Sequence, residues 1–86
     1  MPETREIRLR RLTMRSMRRG IREMDILLMR YSRARLEGLS DDQLDLYDAL
    51  LEENDQDLYQ WVSGQVAPPA QYGVMIEDIA SVPDTA

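Results

Sequence analysis

Apolar positions recur every three or four residues along the chain. There is little of the two-residue alternation that marks strands, and β-branched residues are few. This spacing predicts an all-α fold, a compact five-helix bundle in a single small domain. Helix one runs from about Glu3 to Arg18. Pro2 suits its first turn, and Glu3 and Glu6 sit at the positive end of its dipole. Ile7, Met14 and Met17 line one side of this helix, and Arg8, Arg11, Arg15 and Arg18 line another. Helix two covers about Ile21 to Glu37, with Met24, Leu27, Leu28, Tyr31 and Ala34 facing inward and Gly38 as its stop.

Helix three opens sharply, with Ser40 and Gln43 composing a capping box and Asp41 and Asp42 in the first turn. Leu44, Tyr47, Leu50 and Leu51 supply its buried stripe, and Asp45 and Asp48 belong to the wet side. After the polar break Glu53-Asn54-Asp55, Asp55 serves as N-cap of a short helix four that carries Leu58, Trp61 and Val62 and closes at Gly64. Trp61 is read as a core anchor and the methionines as core filler. Ala67-Pro68-Pro69 is a rigid connector. Helix five, about Ala70 to Ala80, places Tyr72, Met75, Ile76 and Ile79 on one face. One domain spans residues 1–86, ordered over about 4–80, with a tail at 81–86 that frays.

Composition removes most chemistry. The 86 residues include no cysteine and no histidine, so disulfides, thiol chemistry, the commonest general base and the commonest metal ligand are all missing. The acidic run Glu52-Glu53-Asn54-Asp55-Gln56-Asp57 lacks the mid-loop glycine and closing glutamate of a calcium loop. No glycine-rich phosphate loop or nucleophile–base set is visible, so the chain is not expected to be an enzyme or to hold a metal or cofactor of its own. No apolar run approaches a membrane span, and Glu3 and Glu6 argue against reading the arginine-rich start as a presequence. The expectation is a cytoplasmic protein with no membrane insertion, monomeric when free.

Net charge is −5, but its distribution is polar: all eleven basic residues are arginines between Arg5 and Arg35, giving +7 over residues 1–35 and −12 over residues 36–86. Such asymmetry points to internal neutralisation or to a charged partner. A nucleic-acid binder using the arginine-rich N-terminal helix is the competing reading. The acidic remainder would repel a phosphate backbone, and no aromatics interleave with the arginines.

The candidate site is the junction Arg18-Arg19-Gly20-Ile21-Arg22-Glu23-Met24-Asp25, where local rules are broken. Arg18, Arg19 and Arg22 crowd the start of helix two, where the dipole disfavours cations, and Arg19 precedes Glu23 in the weaker order of an i,i+4 pair. Gly20 interrupts the helical run and lets another backbone come close. Two arginine forks beside a bare glycine, with Glu23 one turn on, suit recognition of carboxylates and backbone on another protein.

The same residues read R-R-G-x-x-E-M-D. This resembles the signature of the succinate dehydrogenase FAD assembly factors, known in bacteria as SdhE and in mitochondria as succinate dehydrogenase assembly factor 2. The likeness extends over roughly residues 8 to 80, through Leu39-Ser40-Asp41-Asp42, Leu50-Leu51-Glu52 and Asp55-Gln56-Asp57-Leu58-Tyr59-Gln60-Trp61. The resemblance implies a five-helix bundle that binds the flavoprotein subunit of succinate dehydrogenase, and of the related fumarate reductase. It further implies that the chain promotes covalent attachment of FAD to a histidine of that subunit without being a flavoenzyme. The motif falls on Arg19, Gly20 and Glu23, with Arg18 and Asp25 as neighbours. This chain departs from the family pattern at Arg30-Tyr31, where many members have a proline-aromatic pair, and at Gln56, where proline is usual.

Overall fold

The computed structural model describes residues 3–83. Thr4 opens the first helix, α1 (Arg5–Arg15), by accepting the Ile7 N–H on its hydroxyl at 3.2 Å. α2 (Arg22–Arg35) runs on into a short 3-10 turn at Leu36–Gly38. α3 (Asp41–Leu50) and α4 (Asp55–Val62) follow, and a second 3-10 turn at Ala70–Tyr72 leads into α5 (Gly73–Ser81). The all-α, five-helix reading is borne out, and no strand occurs among the described residues. None of the described helices is long and apolar enough to cross a membrane. Pro2 and residues 84–86 of the expected tail lie outside the described residues.

Side-chain caps explain where α1, α3 and α4 begin. Ser40 and Gln43 make both bonds of the capping box, at 2.8 and 3.2 Å. The cap of α4 is Asn54 rather than Asp55: the Asn54 side chain accepts the Gln56 N–H at 2.8 Å, which leaves Asp55 as the first helical residue. Gly64, at φ +83°, occupies the left-handed region just beyond α4.

One continuous core joins all five helices. Met24, Leu28 and Tyr31 of α2, Leu44, Tyr47 and Leu50 of α3, Leu58 of α4 and Met75, Ile76 and Ile79 of α5 are buried in it. Leu51, Tyr72 and Val82 are buried too, so ordered packing continues past Ala80. Trp61 is only half buried; it lies against the core and stacks on Tyr72 with ring centroids 6.1 Å apart. Ala34, expected inward, is exposed.

α1 corrects the expectation most. Its buried positions are Leu12 and, just past its end, Ser16, with Leu9 packed against the core edge. Ile7 and Met14, expected as one side of a packed stripe, are 54% and 69% exposed. The Ser16 and Tyr47 hydroxyls meet at 2.6 Å, and the Tyr47 ring lies 5.5 Å from that of Tyr31. Burial pushes the Tyr47 phenol up to about 12, against a smaller opposing effect of the Ser16 hydrogen bond. The Tyr31 phenol, which donates to Asp78 at 2.9 Å, is raised first by burial and then by that bond.

Candidate protein-docking surface

The arginines of α1 are not a free stripe. Arg5 pairs with Asp41, Arg8 with Asp45, Arg11 with Asp48, Arg15 with Asp48 and Glu52, and Arg19, just past the helix, with Asp55. Apart from the Arg15–Asp48 contact, partners stand 36 or 37 residues apart, and both numbers climb together. α1 and α3 therefore lie parallel, joined by an ionic ladder. Three-to-four-residue spacing on each helix brings a cation opposite an anion at every turn. Asp48 takes two arginines, and the Arg11 hydrogen bond holds its carboxyl below the usual range. Glu3 is likewise lowered, chiefly by its own bond to Arg11 at 2.7 Å. Internal neutralisation thus accounts for most of the sequence's charge polarity. It also removes the basic stripe on which a nucleic-acid reading depended.

At the top of the ladder the chain turns from α1 into α2. The turn is built around Arg18, whose φ of +56° is in the left-handed region that few residues other than glycine enter. Its N–H is fixed by the Asp25 carboxylate at 2.6 Å. The sequence placed the break at Gly20, but the reversal of hand belongs to Arg18. Gly20 serves a different purpose. Its N–H donates to Asp55 Oδ2 at 2.7 Å, and a Cβ added there would lie only 3.1 Å from that same oxygen. The missing side chain admits the chain's own carboxylate.

Arg19 faces inward, which corrects the picture of two open forks around a bare glycine. Nε donates to Asp55 Oδ1 at 2.8 Å, Nη1 to the Arg15 carbonyl at 3.0 Å and Nη2 to the Leu51 carbonyl at 3.1 Å. These carbonyls lie at the ends of α1 and α3, where acceptors lack helical partners and a cation is favoured by the dipole. The Arg19 and Asp55 side chains are only 12% and 18% exposed. Asp25 is engaged by Arg18, as described.

What faces outward is a smaller set. The side chains of Arg18, Arg22 and Glu23 are exposed and, among the described residues, make no ion pair. They flank exposed Gly20 in the sequence, and a shallow cleft of about 270 Å³ is lined by Gly20, Ile21, Asn54, Asp55 and Gln56. The motif thus divides by role. Arg18, Gly20 and Glu23 present surface, whereas Arg19 and Asp25 hold the turn. Sequence reasoning missed Asp55, which it took only for a cap. The available signal was its separation of 36 residues from Arg19, the same separation as Arg5 from Asp41.

Comparison with known proteins gives a consistent result. Residues 10–83 match the family model described as flavinator of succinate dehydrogenase. A protein of Meyerozyma guilliermondii named succinate dehydrogenase assembly factor 2, mitochondrial, is 51% identical over 61 residues, covering 71% of this chain and 45% of that protein. Its namesake in Debaryomyces hansenii is 43% identical over 61 residues, 71% of this chain and 43% of its own length. Assembly factor 2-A of Drosophila willistoni, also named mitochondrial, is 36% identical over 73 residues, 83% of this chain and 46% of its own length. The chain spans less than half the length of these relatives.

Proposed function

We propose, from the premise that this chain belongs to the family of flavinators of succinate dehydrogenase, that it is an assembly factor for that enzyme. It docks on the flavoprotein subunit and promotes covalent attachment of FAD there. The related flavoprotein of fumarate reductase is a second client on this reading. The factor works as a monomer, in the cytoplasm, as a non-catalytic helper that holds no flavin of its own. With neither histidine nor cysteine in the chain, the usual histidyl and cysteinyl flavin bonds have no attachment point here, so the bond forms in the client.

The observation that carries this reading is that two of the motif's residues, Gly20 and Glu23, together with neighbouring Arg18, are exposed on the turn while Arg19 holds it from inside. Gly20 is exposed at a cleft, and Arg18 and Glu23 stand beside it with their charges unspent among the described residues. A guanidinium offers paired donors to a carboxylate, and a glutamate offers the converse to a cation. Docking of this kind acts by population. Binding that favours an attachment-ready client conformation raises its share by as much as the differential affinity permits. The client histidine and the flavin ring then meet in reacting geometry more often. The test is a pull-down of the client flavoprotein with this chain as bait, followed by in-gel flavin fluorescence. Arg18→Ala, Glu23→Ala and Gly20→Arg, each shown folded by circular dichroism, are expected to lower both retained client and covalent flavin. Wild-type flavinylation from all three would refute the assigned surface.

A further inference from the structure

We infer that Asp55 is a positioning residue for the docking surface, a latch on α4 that sets the shape of the α1–α2 turn from behind. The inference rests on the docking reading above. Each oxygen of this carboxylate is committed to a different piece of the turn: Oδ1 accepts from Arg19 Nε at 2.8 Å and Oδ2 accepts the Gly20 N–H at 2.7 Å. Arg19 in turn reaches the Arg15 and Leu51 carbonyls at 3.0 and 3.1 Å. Together the Asp55 and Arg19 side chains therefore tie the end of α1, the end of α3, the first turn of α4 and the backbone of Gly20 to one another.

The clearance at Gly20 shows how tight the latch is. A Cβ would lie 3.1 Å from Oδ2, so the carboxylate occupies the space a side chain would need. Arg18, immediately before the latched pair, is held at φ +56°, and its N–H is bound to Asp25. A residue in that region persists where its surroundings over-determine it. The two carboxylates, Asp25 from the α2 side and Asp55 from α4, supply that determination. Together they fix where the exposed Arg18 and Glu23 side chains leave the backbone. Asp55 also forms part of the cleft with Gly20, Ile21, Asn54 and Gln56. The presented surface is therefore composite, made by the turn and the start of α4.

The test measures affinity for the apo flavoprotein subunit of succinate dehydrogenase, alongside thermal melting of each factor variant. Asp55→Glu keeps the charge, and hence the ion pair, but adds a methylene that moves the carboxylate relative to Gly20. The latch requires that Asp55→Glu weaken client binding by about tenfold or more while its melting temperature stays near that of the native chain. Asp55→Asn keeps the shape but breaks one arm. Its effect and that of Arg19→Gln should fail to add, the double variant losing no more affinity than the weaker-binding single, because both act through one unit. Val62→Ala, which loosens α4 away from the latch, serves as the control for lost stability and is expected to bind normally while folded. Native affinity in Asp55→Glu, additive losses in the double variant, or equal loss in Val62→Ala would each overturn the inference. If Arg18→Ala and Glu23→Ala also bind like the native chain, the docking reading itself fails and takes the latch's purpose with it. If those two variants weaken binding and Asp55→Glu does not, the latch alone is wrong.

Discussion

Replacing Asp48 with asparagine removes one charge from the centre of the α1–α3 ladder without changing side-chain size. Asp48 accepts from Arg11 at 3.1 and 2.9 Å and also from Arg15, and its side chain is 28% exposed. A hydrogen bond to a charged group is worth about 1.5–3 kcal/mol when sheltered, and an exposed ion pair about 0–1 kcal/mol. Asparagine keeps one acceptor oxygen, and Arg11 keeps Glu3. The expected net loss is about 1–2 kcal/mol, between those limits. In a domain of this size that lowers the melting temperature by about 5–15 °C. The assay is thermal unfolding in low and high salt, with Glu77→Gln, an exposed change, as the control. Screening shortens to about 3 Å at 1 M salt, so the gap between native and Asp48→Asn should narrow there. It should narrow in acid as well. The folded-state Asp48 carboxyl is lowered. The stability it contributes is therefore present above its unfolded value near ~3.9 and lost as pH falls through its lower folded value. A melting temperature unchanged by the substitution at low salt, or a gap insensitive to both salt and acid, would refute the ladder as a source of stability.

Two further outcomes follow from the core. Tyr47→Phe should cost about 1 kcal/mol at neutral pH, one buried hydrogen bond, because the Ser16 hydroxyl still donates to the Leu12 carbonyl. The native chain should lose stability as pH rises from the ordinary phenol value of 10.0 through about 12, because the unfolded chain ionises first. Urea unfolding against pH should show part of that alkaline loss absent in Tyr47→Phe, with Tyr31 supplying the remainder. Leu12→Ala should destabilise by about 2–5 kcal/mol, since Leu12 is the fully buried residue of α1, whereas Met14→Ala on the outer face should stay within about 0.5 kcal/mol. Equal losses from these two, measured by urea titration, would mean α1 is rotated from the position described.

Much of this architecture could be read from spacing alone. The Ser40–Gln43 capping box, the Leu44–Tyr47–Leu50 stripe and the α5 face are local patterns, and each is realised as its residues suggest. Errors arose where a long-range partner outweighed a local rule. Arginines at three- and four-residue spacing ordinarily face water, so the sequence of α1 predicts Ile7 and Met14 on a packing side. The carboxylates of α3 turn that arginine face inward instead, and this rotation leaves Ile7 and Met14 outside. The sequence marks Gly20 as a place where another backbone comes close, but what approaches it is the Asp55 side-chain carboxylate of the same chain. Arg19 looked available because Asp55, 36 positions later, looked like a helix cap. No local window contains both.

The parallel ladder has a weakness that its neighbours cure. Its rungs repeat once per helical turn, so a slide of α1 by one turn, ~5.4 Å, would set Arg8 against Asp41, Arg11 against Asp45 and Arg15 against Asp48. Most of the charge matching would survive that slip, and electrostatics alone would scarcely tell the two alignments apart. What distinguishes them is uncharged: Leu12 fits one socket, and the Ser16 hydroxyl finds Tyr47 in only one of the alignments. The ions draw the helices together, and a serine and a tyrosine count the turns.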